Sequence, residues 1–295
     1  MTMKLFRWQS KEMLVKVGLQ LAASTSIIIV ILIFVFLGKE AFPFFAKSNV
    51  LSLFTTYWNP VTFNQPEYGI IPLLLGSLLV TVISIIIAVP LGVVTAIYIS
   101  EFARPAEREI LKPFIELLAG IPSVVLGFFG LVVLAPLIKS IFGLSTGTSA
   151  LTASLLLALM ALPTIITLAE DAIKSVPFSY REAAMAIGAT KLQTAWTVTF
   201  PAALSGILSG IMLGVGRVIG ETMAVLMVSG NSPIITFNPL STVRTMTATI
   251  AAEMGEVSFG STHYNALFVI GIILLLFTFA LVQISQRLLK GQIRE

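Results

Sequence analysis

Arg217 and Glu221 interrupt nearly thirty otherwise uncharged, largely apolar residues around GVGRVIGETMAV, Gly214 to Val225. A spacing of four sets the two side chains together on one helical face. The guanidinium is a permanent cation with a planar fork of donors that matches an oxyanion. A carboxylate repels an anion, so Glu221 has three open roles: holding Arg217 in place, exchanging partners with it, or taking a proton. The plain alternative is a pair that neutralises itself or ties two helices together, although Arg before Glu is the weaker order. No nucleophile–base or carboxylate–His constellation accompanies them, so no catalytic residue and no metal site is expected. His263, the only histidine, reads as a solvated residue at the edge of an apolar run. With no cysteine, thiol chemistry and disulfides are excluded.

What these charges do depends on the element that carries them. The chain of 295 residues is 57% hydrophobic and 11% charged, with a mean hydropathy of +0.99. A soluble domain is about 25% charged, so this chain cannot cover itself in water. No basic cluster interleaved with aromatics is present, which excludes nucleic acid as a partner and leaves membrane lipid. Spans need about 20 mostly apolar residues, and six segments qualify, at 17–38, 70–99, 115–139, 149–169, 202–229 and 264–286. The expected fold is all-α, a polytopic membrane protein with six transmembrane helices. The first apolar run is too long for a secretory signal and reads as a retained anchor.

Lysine and arginine set the orientation. Thirteen of them fall at the N-terminus, the 100–116 and 170–200 loops and the C-terminus, against Lys39, Lys47, Lys139 and Arg244 in the other loops. Positive residues stay inside, so both termini are expected in the cytoplasm of a prokaryotic cell membrane. Arg217 is the eighteenth basic residue and belongs to neither side. On a helical wheel Gly206, Gly210, Gly214, Arg217 and Glu221 share an arc of about 80°. Glycines spaced by four admit a close helix neighbour, so the charges are expected to face protein or a cavity. Gly216 and Gly220 widen that small-residue face.

Other features read as architecture. Gly120-Ile121-Pro122-Ser123 places a break inside the third span, and Pro90 and Pro163 interrupt two others. Thr81, Ser84 and Ser123 read as hydrogen bonds between helices, with a lining of the path as the alternative. YWNPVTFNQPEYG, Tyr57 to Gly69, has the makeup of an interfacial aromatic belt with turns. TVRTMTATIAAEMGE repeats Met246, Ile250 and Met254 at helical spacing and reads as a short amphipathic helix resting on the outer surface, or as a docking face.

The loop SVPFSYREAAMAIGATKLQTAWTVTFPAAL, Ser175 to Leu204, is long and only mildly polar. Its Ala-rich run predicts a helix that turns at Gly188, followed by a second helical piece over Lys191 to Val198. Such a helix–turn–helix is either a plain connector or a surface for insertion into a groove on a soluble partner.

Glu182-Ala183-Ala184, Gly188 and Val198-Thr199-Phe200-Pro201 resemble, at matching spacing, the cytoplasmic motif of ATP-binding-cassette importer permeases; Val and Phe replace its Ile and Leu. IELLAGIPSVVLGFFGL, GRVIGETMAV and HYNALFVIG narrow the resemblance to phosphate-importer permeases of the PstC type. The resemblance implies a type I (MetI-like) permease architecture and a coupling helix over roughly Ser179 to Lys191, seated in an ATPase subunit. It divides the chain into an N-terminal segment with the first span (1–69), a permease core (70–289) with the coupling loop at 175–200, and a tail (290–295). It also implies a PstA-like sister permease, a PstB-like ATPase dimer and an external PstS-like phosphate-binding protein. No G-x-x-x-x-G-K-[ST] loop occurs, so this chain is expected to bind no cofactor, ATP and Mg being used by the partner ATPase. Arg217 and Glu221 are then implicated in the passage of phosphate. Permeases of the same architecture for sulfate or molybdate, and a stand-alone secondary transporter, remain the alternatives.

Overall fold

The computed structural model describes residues 2–62 and 65–292; two residues of the aromatic segment and the end of the tail expected at 290–295 lie outside it. The chain is all-α among the described residues apart from one two-stranded hairpin. Among the described residues six helical stretches are long and apolar enough to cross a membrane: Val15–Lys47, Ile71–Phe102, Ser123–Phe142, Ala150–Ser175, Lys191–Gly220 and Thr262–Gln283.

Helix α1 (Thr2–Lys47) carries the first span and packs on the last. The hairpin β1 (Trp58–Asn59) and β2 (Glu67–Tyr68) follows, antiparallel, with Trp58 opposite Tyr68. Helix α2 (Ile71–Ile97) then crosses and ends in a π-type turn over Tyr98–Phe102. Pro90 and Pro163 both lie inside continuous helices, where neighbouring helices offset the lost hydrogen bond.

The third span differs from expectation. Helix α3 (Pro105–Gly120) is an element of its own, amphipathic and without a buried residue. Ile121 and Pro122 are extended, and the span restarts as α4 (Ser123–Phe129), a π-type turn and α5 (Ala135–Phe142). Proline drives its predecessor out of helical geometry, so Gly120-Ile121-Pro122 divides a surface helix from the span instead of kinking the span. Helix α3 is held by charge: Arg108 Nη2 lies 2.9 Å and Lys112 Nζ 3.4 Å from the carboxylate of Glu170, which is 2% exposed, and Lys174 binds the same group.

Glu170 belongs to α6 (Ala150–Ser175), the most buried of the spans. Ser149 caps its start by accepting from the Thr152 N–H. Helix α7 (Phe178–Ala186) and α8 (Lys191–Thr194) form the long loop, and α8 runs through another π-type turn into α9 (Phe200–Gly220). Helices α6 and α9 approach closely. A Cβ on Gly206, Gly210 or Gly214 would stand 2.5 Å from Ala172, 2.8 Å from Leu168 and 2.6 Å from Ile165 respectively. Gly216 and Gly220 instead face open space.

After α9 come α10 (Met223–Val228), α11 (Met246–Glu253) and α12 (Thr262–Gln292). Buried apolar residues form three layers. A middle cluster centres on α6, one around Ile99, Ile173 and Ile207 closes the basic end, and one around Phe44, Trp58 and Leu267 closes the far end. Ser84, expected to bond between helices, returns its hydroxyl to the Val80 carbonyl of its own helix, 2.7 Å away. Ser154 supplies the interhelical contact to that carbonyl at 3.2 Å.

Candidate translocation path and coupling segment

Arg217 and Glu221 do not share a helical face. Helix α9 ends at Gly220, Glu221 is extended (φ −71°, ψ 131°), and α10 begins at Met223. The fifth span is therefore broken, where the sequence reads as one helix over 202–229. Glu221 turns to the second piece: its Oε1 accepts from the Ala224 N–H at 3.2 Å, and its carbonyl accepts from Thr247 Oγ1 at 2.9 Å. The break has a physical reason. Gly220 carries no side chain to hold a helix, Thr222 is a poor helix former, and the Glu221 carboxylate supplies a local acceptor for a freed amide.

Arg217 stays on α9 and is half-buried. Its Nη1 donates to Thr164 Oγ1 at 3.3 Å, and among the described residues it has no ion pair within 4.0 Å. Thr164 is fourteen residues from the start of α6 and eleven from its end, which at about 1.5 Å per residue puts it near mid-membrane. A hydroxyl satisfies one donor of the fork and none of the charge. Non-helical backbone and an uncompensated cation at this depth are tolerated where they meet protein or line a polar cavity.

The far side of the break is occupied by α11, in a way the helical spacing did not reveal. Its first turn, Met246 to Thr249, is buried. The Met246 N–H donates to Ser77 Oγ at 2.9 Å, and a Cβ on Gly76 would stand 2.4 Å from the Arg244 carbonyl. Ser77 lies six residues into α2, about 9 Å below its end. The segment is thus re-entrant and does not rest on the surface. Its outer end is tied by Glu253, which accepts from Trp58 Nε1 at 3.1 Å, Arg244 Nη1 at 2.6 Å and His263 Nε2 at 2.8 Å. Burial pushes the Glu253 carboxyl up, but bonds from His263 and Trp58 and the charge of Arg244 together hold it below the usual range. His263 is part-buried in this cluster and not a solvated edge residue. A cleft of about 900 Å³ opens beside it, lined by Asn59, Glu256 and Ser261 among others. Among the described residues no group of three His, Cys, Asp or Glu side chains is placed to hold a metal.

At the basic end, α7 carries Glu182 and Ala183 exposed and Ala184 buried. Gly188 has φ +92°, a conformation that favours glycine, and Thr190 with Gln193 caps α8 reciprocally. The sequence reading missed Arg181. Its Nε and Nη2 contact Glu101 at 3.0 and 2.7 Å, and its Nη1 and Nη2 donate to the carbonyls of Val176 and Ile173 at 2.8 and 2.9 Å. Thr164 and Thr247 were missed as well, since a hydroxyl in an apolar run carries no signal of what it faces.

A membrane helical bundle with a broken fifth span and a short helix pair projecting at its basic end is the architecture of an importer permease. The chain belongs to the family described as binding-protein-dependent transport system inner membrane component, whose model matches residues 88–295. It is 41% identical over 242 residues to a probable ABC transporter permease protein, YqgH, of Bacillus subtilis, covering 82% of this chain and 78% of that one. It is 36% identical over 285 residues to the phosphate transport system permease protein PstC of Mesorhizobium japonicum, covering 88% and 86%. Among solved structures it resembles the inward-facing MetNI methionine ABC transporter, with a TM-score of 0.57 at 18% identity over 76% of this chain and 94% of that one. A bacterial ABC transporter for alginate gives 0.57 at 15% identity, covering 81% and 86%. The fold is that of a MetI-like ABC importer permease, and the protein is a multi-pass membrane protein.

Proposed function

We propose that the chain is the PstC-like permease subunit of an ATP-driven phosphate importer. It forms the translocation path with a PstA-like sister permease and couples to a PstB-like ATPase dimer. A PstS-like binding protein delivers phosphate at the far end, and the basic end, with both termini, faces the cytoplasm.

The observation that carries the reading is Arg217, a mid-membrane guanidinium with one hydroxyl partner and no counter-ion within 4.0 Å among the described residues. Such a cation has a free donor fork to offer an oxyanion. The relatives named PstC support phosphate as that oxyanion. Glu221, engaged with α10, is placed to hold the break rather than to neutralise Arg217, and this favours a weakly compensated site that an anion enters and leaves. ATP and Mg are used by the partner. This chain forms the path.

The test is copurification of the complex and uptake of labelled phosphate into vesicles containing ATP. Uptake that requires ATP and is outcompeted by phosphate but not by sulfate or molybdate is expected. Stronger competition by either of those ions would reassign the substrate, and uptake by this chain alone without ATP would overturn the reading.

A further inference from the structure

Helix α7 is poorly supported from behind. A cleft of about 630 Å³ separates it from the bundle, lined by Ser100, Lys174, Phe178, Met185, Lys191 and Thr194, with Glu101 and Arg181 in its wall. The hydroxyls of Ser100 and Thr194 are buried in its wall without a hydrogen-bond partner among the described residues. Non-helical backbone flanks α7 on both sides, with Val176 and Pro177 extended before it and Gly188 at φ +92° after it. A push on the exposed face, where Phe178 and Ile187 are 63% and 89% exposed, therefore meets little packed core that would pass it on.

Arg181 is the solid connection. It joins α7 to the Glu101 carboxylate at the end of span two and to two carbonyls at the end of α6. The Val176 carbonyl lies one residue past the end of α6, and the Ile173 carbonyl also accepts from the Val176 N–H at 3.3 Å, so one guanidinium ties the end of α6 to that of span two. Both charged side chains are 14% exposed, and a desolvated pair is screened little by salt. The planar fork fixes direction as well as distance, which a lysine ammonium does not.

We infer that the Arg181–Glu101 pair is the strut through which motion of α7 reaches spans two and four, and that both are positioning residues for transport. The inference rests on the proposed coupling to an ATPase. It assigns that coupling to a contact on the inner face of α7, distinct from the exposed face that would meet the partner.

The test uses the assembled complex with full-length Arg181→Gln, Arg181→Lys, Glu101→Gln and the double Arg181→Gln/Glu101→Gln chain. Phosphate moved per ATP hydrolysed should fall at least about ten-fold in Arg181→Gln and Glu101→Gln, the loss expected for a charge-assisted bond. Hydrolysis should continue, the double variant should be no worse than either single one, and Arg181→Lys should recover part of the ratio. Should Arg181→Gln fail to assemble, Glu101→Gln decides, because it leaves the carbonyl bonds in place. An unchanged ratio, or additive losses, would overturn the strut. Because the chain has no cysteine, spin labels at Ser179→Cys and Val94→Cys give a readout independent of the transported ion. Their separation should hold steady on ATP binding in the parent and shift in Glu101→Gln. If the parent moves no phosphate while the labels behave so, the substrate assignment fails and the strut stands. Label distances alike in both chains would sink the strut.

Discussion

Arg217→Gln separates a transport role from a structural one, because the two predict opposite changes in stability. An arginine at the centre of a span costs roughly 2.5–3.5 kcal/mol by insertion scales. The only hydrogen bond it makes among the described residues is a 3.3 Å contact to a neutral hydroxyl, long for a charged donor and worth about 1.5 kcal/mol, the low end for such bonds. The balance is unfavourable to the fold, and a neutral amide at this site should stabilise the chain by about 1 kcal/mol once its own burial is set against the gain. Transport should move the other way. A hydrogen bond to a charged group contributes about 1.5–3 kcal/mol, so phosphate passage should slow by roughly ten- to a hundred-fold. The assay pairs thermal unfolding of the purified complex with phosphate uptake at subsaturating concentration. A raised midpoint with lost uptake supports the reasoning, and Arg217→Lys should keep part of the uptake. A lowered midpoint, or uptake near that of the parent, would refute it.

Three further outcomes follow from the geometry. Gly214→Ala should destabilise the isolated chain by about 1–3 kcal/mol through overpacking, since its Cβ would stand 2.6 Å from Ile165, whereas Gly216→Ala, with nothing within 4 Å, should not; detergent unfolding midpoints compare them. Gly188→Ala should strain the turn by about 1–2 kcal/mol, weakening capture of the ATPase up to about thirty-fold, measured by pull-down titration. Glu253 has a folded pKa below its ordinary 4.5, so its contribution is complete above about 4.5 and is lost as pH falls through the lower folded value. Fluorescence of Trp58, in a chain with Trp8 and Trp196 replaced by Phe, should shift below pH 4.5 and lose its pH dependence in Glu253→Gln; a parent acid titration that superimposes on that of Glu253→Gln would contradict the cluster.

The six spans and the orientation of helix α9 towards α6 were legible because both follow from periodic apolar and small residues. Gly206, Gly210 and Gly214 meet α6 through a spacing that any wheel displays. The state of the charged pair was not legible, because a wheel presumes a continuous helix. Gly220-Glu221-Thr222 contains no proline, and besides the local bond from the Ala224 N–H its break depends on Thr247, which is near only in the folded chain. The same holds for α3: Pro122 announces a break, but only Glu170 on another helix determines that the piece before it is a surface helix. Arg181 was hidden differently. Beside Glu182 it reads as ordinary loop charge, and its partner Glu101 is eighty residues away.

The break and the strut together suggest how the far ends of the path are linked. From Lys191 to Gly220 the chain is helical without interruption, a rod of about 45 Å that begins just after α7 and ends one residue short of Glu221. Its glycine face lies close against α6, with Gly206, Gly210 and Gly214 leaving no room for a side chain between the two helices. At the far end nothing helical continues it: α10 is a separate piece, bonded to the Glu221 carboxylate, and α11 is bonded to the Glu221 carbonyl. On the proposed function, a displacement carried through the strut to α6 would change how α9 lies against it, moving Arg217 with the rod while the bonds to α10 and α11 hold Glu221. The distance between the two charges becomes the variable that the transport cycle changes. Glu221→Gln tests this directly. If Glu221 holds the break, phosphate uptake should fall while the Arg217 site still binds phosphate in equilibrium measurements; if it screens Arg217, phosphate affinity should rise.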